Sequence, residues 1–215
     1  NKNFFGCLFY DVLSVEGYPP HYKSRVRING LMNDMQKKFE HYKAGVQYLD
    51  SLTTVVIDDL QKRNLLRNTI VVITSDHGEE YNENGLNFTG HGSAFSKIQM
   101  KTPMIVFNPE NGSSTVTRRT SHYDVVPTFM RSGLGCTSPA KDYSSGNDLF
   151  GSETWQWLIG GSYYNFAIIE PDKITVQFPG GYYETRDTNY QLINSSTLSP
   201  YLSDALAEMG RFYRR

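Results

Sequence analysis

The sequence predicts an α/β protein, with a mostly parallel sheet flanked by helices and a small antiparallel β subdomain at the C-terminal end. Three observations support this fold class. Residues 69–74 form a β-branched run that is apolar on both faces, which is typical of a central parallel strand. Residues 32–66 carry apolar side chains three and four positions apart, which indicates one long amphipathic helix or two consecutive helices broken near Gly45. In residues 151–215, short strand-like runs alternate with Gly and Pro turns.

The other elements are predicted in chain order by the same rules. Phe4–Tyr10 is an apolar, aromatic run that indicates a buried strand, in which Cys7 would be a small buried side chain. Pro103–Phe107 indicates another buried strand, and the polar stretch before it indicates a loop. Ser121 and Asp124 have the spacing of a capping box, which opens a helix. The C-terminal region is predicted to contain four strands and a closing helix: Trp155–Ile159, Phe166–Glu170, Ile174–Phe178, Tyr182–Arg186 and Asp204–Tyr213.

Composition fits one ordinary domain, or one large piece of a bigger domain, and argues against two functional classes. The 215 residues include 21 Lys and Arg against 22 Asp and Glu, so the net charge is -1. We expect no nucleic-acid partner, because such partners usually require a basic surface. No apolar run approaches the roughly 18–20 residues that a membrane span needs. Two cysteines do not make a disulfide framework, and a Cys7–Cys136 bridge would require Cα atoms within about 7 Å.

A polar segment directly after the strand at residues 69–74 carries the first candidate metal ligands. Asp76 and His77 follow the carboxyl end of this strand, where sites collect in open α/β sheets. A carboxylate oxygen and an imidazole nitrogen are suitable ligands for Zn²⁺, Mn²⁺ or Mg²⁺, and histidine favours the first two. Gly78 would allow a sharp turn next to them.

A second segment adds an imidazole between two glycines. His91 lies between Gly90 and Gly92, so it can approach a ligand or a second metal with little steric bulk around it. The acidic residues Glu79 and Glu80 add negative charge that a divalent cation would offset. Taken singly, an Asp-His pair after a strand is more often a turn with a satisfied imidazole, and such acidic residues are usually solvated. The combination favours the functional interpretation.

The ordered series of motifs resembles the C-terminal half of the sulfatase and alkaline phosphatase superfamily. Residues 75–79, 90–92 and 101–106 carry the first part of the resemblance. Residues 121–128 are similar to the helix with the pattern D-x-x-P-T that follows in those proteins. Residues 137–150 are similar to a loop of the inner-membrane, sulfatase-like proteins of Gram-negative bacteria. The resemblance implies that residues 1–150 are the C-terminal half of the sulfatase-like core, with residues 151–215 packed on the same domain.

The resemblance also implies roles for individual residues. The pair matching Asp76 and His77 holds a divalent metal (Mn, Zn, Mg or Ca) in active relatives. The residue matching His91 lies on a second metal or on the phosphate or sulfate of the substrate, and a nearby histidine can act as general acid. Active relatives often carry a histidine after the strand that matches Phe4–Tyr10. The nearest imidazole in this chain is His21, so the candidate catalytic residues are His91 and His21.

The same resemblance implies partners outside this sequence. The nucleophile and the early carboxylate ligands of the family lie upstream, so we expect this chain to be a fragment that is inactive alone. Its expected partners are the upstream half of the same domain and transmembrane helices, which would make it a periplasmic domain of an inner-membrane protein.

Three functions remain open at this point. The first is a metal-dependent hydrolase or transferase of phosphate or sulfate esters. The second is a non-catalytic domain that binds anionic lipid, namely lipid A, lipopolysaccharide or cardiolipin. Residues 11–16 favour the second, because they lack the histidine of the active relatives. The third is a metal-free interaction module, which would require three separate motifs to coincide by chance.

Overall fold

A computed structural model describes residues 4–13, 17–194 and 197–213. The chain forms two compact units. The first contains the described residues up to Val71 together with residues 81–87 and 108–110, and the second contains the remainder.

The first unit is built on one long helix. Helix α1 (Pro20–Lys23) is short, and helix α2 (Asp34–Lys62) runs for 29 residues. A capping box opens α2, because Asn33 and Gln36 exchange side-chain to backbone hydrogen bonds. The helix continues through Gly45, where a β-carbon would lie 2.8 Å from a methyl of Leu13. Glycine therefore allows close packing here rather than breaking the helix, and the one-helix alternative is confirmed.

The predicted strand Phe4–Tyr10 is wrong. The described part of the chain has no strand there, and side chains such as Phe5 and Phe9 are exposed. A strand requires a hydrogen-bonded neighbour, and none of the described strands pairs with this segment, so an apolar pattern alone does not form one. Cys7 is also exposed rather than buried, and both Cys7 and Cys136 are free thiols.

Two pairs of short strands and one short helix organise residues 71–107. Strands β1 (Val71–Thr74) and β4 (Met104–Phe107) pair with each other and confirm the two predicted strands. Ile105 in β4 is exposed, because the described sheet has only these two strands and leaves part of the strand uncovered. The segment between them, predicted as a loop, also contains three short elements: β2 (Glu80–Tyr81), β3 (Thr89–Gly90) and α3 (Lys97–Met100).

The helix after residue 120 begins where the sequence predicts. Ser121 donates its N–H to the Asp124 carboxylate over 2.8 Å, and helix α4 (Val125–Ser132) follows. Asp124 is buried and also accepts hydrogen bonds from the Asn147 N–H and from Nε1 of Trp155. The predicted capping box is present, and the Asp124 carboxylate also joins the helix start to two later segments.

The last third is an antiparallel meander with its own core. All four predicted strands are present, with bounds that differ from the prediction by at most three residues. A fifth, exposed strand of two residues follows, which the sequence did not predict. Ala167, Ile168 and Val176 are almost fully buried. The described elements, in hydrogen-bonded order, are β5 (Leu158–Gly161), β6 (Phe166–Ile169), β7 (Lys173–Gln177), β8 (Tyr183–Asp187) and β9 (Leu192–Ile193), followed by helix α5 (Leu202–Gly210).

Among the described residues, no helix combines the length and the apolar character that crossing a membrane would require.

Candidate metal centre

The turn after β1 places Asp76 and His77 and then packs tightly against α3. Gly78 donates its N–H to the Gln99 carbonyl over 2.8 Å. A β-carbon at Gly78 would lie 1.9 Å from the Ile98 carbonyl oxygen, so only glycine permits this approach. The backbone just after the first candidate ligands is therefore fixed in position by α3.

The second ligand segment depends on left-handed backbone. Gly90 and Gly92 have φ values of +76° and +68°, a region that favours glycine. Between them, His91 stacks on His77 with ring centroids 3.8 Å apart and planes 24° apart. The two segments that were predicted separately from the sequence therefore bring their imidazoles together.

A carboxylate completes the cluster. His77, Glu79 and His91 each offer a ligand atom, and these atoms lie within 4.8 Å of one another. Two imidazole nitrogens and a carboxylate oxygen are a donor set that suits Zn²⁺ and Mn²⁺. The residues present therefore fit the divalent metal that the family implies. Glu79 was predicted only as a source of negative charge, so the sequence did not identify it as part of this set.

The hydrogen bonds of the two imidazoles indicate which nitrogen each presents. His77 Nδ1 lies 3.0 Å from the Gly78 carbonyl oxygen, which can only accept, so Nδ1 carries the proton and Nε2 is left as the ligand atom. His91 Nδ1 lies 2.9 Å from Glu79 Oε2, which leaves His91 Nε2 in the same way. Glu79 thus orients His91 as carboxylates orient histidine ligands in metal proteins.

Asp76 lies beside this cluster but outside the closest group of donors. Its Oδ1 accepts the His77 N–H over 3.0 Å, and its Oδ2 lies 3.6 Å from His77 Nε2. The carboxylate is exposed and faces the same nitrogen that His77 presents. The structure therefore places Asp76 beside His77, whose ring stacks on that of His91.

A buried glutamine ties the two ligand segments together. The Gln99 side-chain amide donates to Glu80 Oε2 over 2.8 Å and to the Ser93 hydroxyl over 3.0 Å, and its oxygen accepts the Ala94 N–H. Gln99 and Glu80 are both fully buried, so the interpretation of Glu80 as a solvated residue is wrong. Ser96 also donates to Glu80, so this carboxylate anchors the loop after His91. Sequence reasoning missed this contact, because Gln99 lies in a segment that is predicted to be a polar loop.

Two other histidines, His21 and His122, are not members of the His77, Glu79 and His91 cluster. His21 lies exposed on α1 in the first unit, where its ring packs 4.6 Å from that of Tyr22, and its catalytic role stays a prediction. His122 was not singled out from the sequence. Its Nε2 lies 3.0 Å from the Thr74 hydroxyl at the end of β1, two residues before Asp76.

The architecture is that of the sulfatase and alkaline phosphatase class of α/β proteins. It is similar to a phosphonate monoester hydrolase of Agrobacterium radiobacter, with a TM-score of 0.63 at 16% identity over 84% of this chain and 41% of that one. It is also similar to a protein solved in complex with its substrate D-glucosamine-2-N,6-O-disulfate, with a TM-score of 0.62 at 19% identity over 90% and 44% of the two chains. These likenesses show the fold, and they confirm the predicted fold class.

The sulfatase family model matches residues 14–133, more than half of the sequence, and the chain belongs to the sulfatase family. The chain is also 26% identical over 182 residues to the inner membrane protein YejM of Salmonella typhimurium strain LT2, which covers 82% of this chain and 30% of that protein. The family resemblance seen in the motifs is therefore confirmed. The chain spans only 21% to 30% of the length of the first curated relatives that it matches.

Proposed function

We propose that this chain supplies metal ligands to a hydrolase or transferase that acts on phosphate or sulfate esters. The observation that supports the proposal is the convergence of His77 and His91, the second oriented by Glu79, in a cluster whose candidate ligand atoms lie within 4.8 Å of one another. The Asp76 carboxylate lies beside it, with Oδ2 3.6 Å from His77 Nε2. Because the matched relatives are much longer, we propose the activity for a longer protein whose nucleophile lies outside these 215 residues. On this proposal the chain alone is inactive.

The residues of the cluster would divide the work. Asp76 and His77 would hold the divalent cation through the carboxylate and Nε2. When bound, the metal would lower the pKa of the attacking hydroxyl and stabilise negative charge on the transferred group. His91, oriented by Glu79, would present Nε2 to a second cation or to an oxygen of the phosphate or sulfate. His21 is the proposed general acid for the leaving group.

Metal content tests the proposal. The intact protein would be loaded in turn with excess Mn²⁺, Zn²⁺, Mg²⁺ or Ca²⁺, dialysed, and analysed for bound metal. We expect near-stoichiometric metal in the unaltered protein and its loss in Asp76→Ala and His77→Ala. Turnover of an aryl phosphate or aryl sulfate should disappear in the same variants. A well-folded protein that binds none of these cations would refute the proposal.

A carboxylate pair provides the matched control. Glu79→Gln removes the charge that orients His91, and we expect metal affinity to fall about 10- to 100-fold. Glu83→Gln makes the same chemical change at an exposed carboxylate outside the donor cluster, where Glu83 caps the Tyr81 N–H. Equal metal loss in both variants would show that general negative charge, rather than the cluster, holds the cation.

Anionic lipid binding is a second candidate function. In this case the chain would belong to a periplasmic domain, behind transmembrane helices, that engages lipid A, lipopolysaccharide or cardiolipin. The sequence of residues 11–16 favours it, because this segment lacks the histidine that active relatives often carry there. Sedimentation of the intact protein with cardiolipin vesicles tests this function. Binding that survives Asp76→Ala and His77→Ala would support it, and absence of binding to cardiolipin and to lipopolysaccharide would exclude it.

A further inference from the structure

We infer that Tyr163 and Tyr164 form a subsite beside His91 for the pyranose ring of a sugar ester. This inference rests on the proposed function, because it names the part of the ester that does not react. The argument uses the position of the two rings, their exposure and the chemistry of tyrosine.

The turn between β5 and β6 reaches the segment that carries His91. The Ser162 hydroxyl donates to the Gly92 carbonyl over 2.6 Å. The ring of Tyr163 packs on Gly92, where a β-carbon would lie 3.4 Å from the ring edge. Because Gly92 is bonded directly to His91, these contacts fix an aromatic ring one residue from a candidate ligand.

The two tyrosines occupy the tip of a tight hairpin. Ser162 donates its N–H to the Asn165 carbonyl over 2.9 Å, so Tyr163 and Tyr164 are the two central residues of the turn. Such positions usually hold Asn, Asp or Gly. Here they hold rings that are 82% and 84% exposed, with centroids 6.4 Å apart. Adjacent exposed aromatic rings beside a candidate site are typical of a ligand contact.

The chemistry of the pair selects the class of ligand. A tyrosine ring offers an apolar face, and its hydroxyl offers a hydrogen-bond donor and acceptor. A pyranose has the complementary surface, since one face presents C–H groups and the rim presents hydroxyls. A sugar phosphate or sulfate could therefore place its ester group at His77 and His91 while its ring lies on Tyr163 or Tyr164.

Calorimetry on the metal-loaded intact protein tests the subsite with three probes: methyl phosphate, glucose 6-phosphate and phenyl phosphate. We expect glucose 6-phosphate to bind more tightly than methyl phosphate. Tyr163→Ala should weaken glucose 6-phosphate binding about tenfold, a size expected for loss of one aromatic contact, and leave methyl phosphate unchanged. Tyr163→Phe keeps the ring and should retain most of the affinity. Tyr213→Ala removes an equally exposed tyrosine from the C-terminal end and should change nothing.

Four results would overturn the inference. The first is equal binding of glucose 6-phosphate and methyl phosphate. The second is an unchanged glucose 6-phosphate affinity in Tyr163→Ala. The third is a phenyl phosphate affinity that exceeds the glucose 6-phosphate affinity and falls in Tyr163→Ala. The fourth is a large drop in melting temperature in Tyr163→Ala with no selective loss of sugar binding, which would make the ring a packing residue. Failure of the proposed function is recognised separately, because metal content and methyl phosphate binding report on it without involving the tyrosines.

Discussion

The C-terminal sheet and the ligand loops of the second unit are held together in different ways. In the sheet, each strand pairs with the next strand along the chain, and the buried side chains include Ala167 and Val176, which lie directly opposite each other in β6 and β7. In the ligand loops, residues 75–80 and 89–96, the buried apolar side chains are Ala94 and Phe95. The other contacts that hold the loops are few and mostly polar: they come from the Gln99 side chain, together with the close approach of Gly78 to α3. The stability of the sheet therefore comes from many paired and packed residues, whereas the geometry of the ligand loops depends on a few single residues.

The largest expected change in stability lies in the sheet. Ile168→Ala removes an almost fully buried side chain, and we expect the free energy of unfolding to fall by about 2–5 kcal/mol. Metal affinity of the protein that remains folded should not change, because the cluster contains no sheet residue. Thermal unfolding and metal titration of the intact protein would check both points. A parallel loss of metal affinity would mean that the two regions are not energetically separate.

Gly78→Ala should show the opposite pattern. The new β-carbon would meet the Ile98 carbonyl oxygen at 1.9 Å, so the backbone next to His77 must move. We expect a cost of about 1–3 kcal/mol in stability, as for overpacking, and a disproportionate loss of metal affinity. Gly112→Ala is the matched control, because no atom lies within 4 Å of a β-carbon there. If Gly78→Ala bound metal as tightly as Gly112→Ala, the fixed turn would have no part in the site.

Gln99→Ala tests the polar contact between the two loops. It leaves the buried Glu80 carboxylate with one partner fewer, and we expect the stability to fall by about 1–3 kcal/mol. Metal affinity should fall as well, because the loop after His91 loses three of its hydrogen bonds to Gln99. Amide hydrogen exchange at residues 89–96 would increase before that of the sheet. Simultaneous exchange in both regions would contradict the separation drawn here.

The same contrast explains what the sequence could predict. The helix Asp34–Lys62 has a periodic apolar pattern, and turn residues separate the strands at residues 166–187, so local sequence was enough to place both within a few residues. Asp76, His77 and His91 were found because glycines and a preceding strand mark them. Glu79 and Gln99 were missed, since a carboxylate or an amide acquires its role through partners distant in sequence. Phe4–Tyr10 was misassigned because an apolar pattern gives no information about whether a neighbouring strand exists.

The smallest expected effect connects the two regions. The Ser162 hydroxyl, at the end of a hairpin of the sheet, donates to the Gly92 carbonyl over 2.6 Å, next to His91. Ser162→Ala removes one hydrogen bond, so we expect a loss of about 0.5–1.5 kcal/mol in stability. Metal affinity and methyl phosphate binding should stay the same, whereas glucose 6-phosphate should bind a few-fold more weakly because Tyr163 is less firmly held. Ser162→Thr keeps the hydroxyl and should restore that affinity. If sugar binding did not respond to Ser162→Ala while it did respond to Tyr163→Ala, the ring would be positioned by its own packing on Gly92, and the sheet would contribute only a support for the turn.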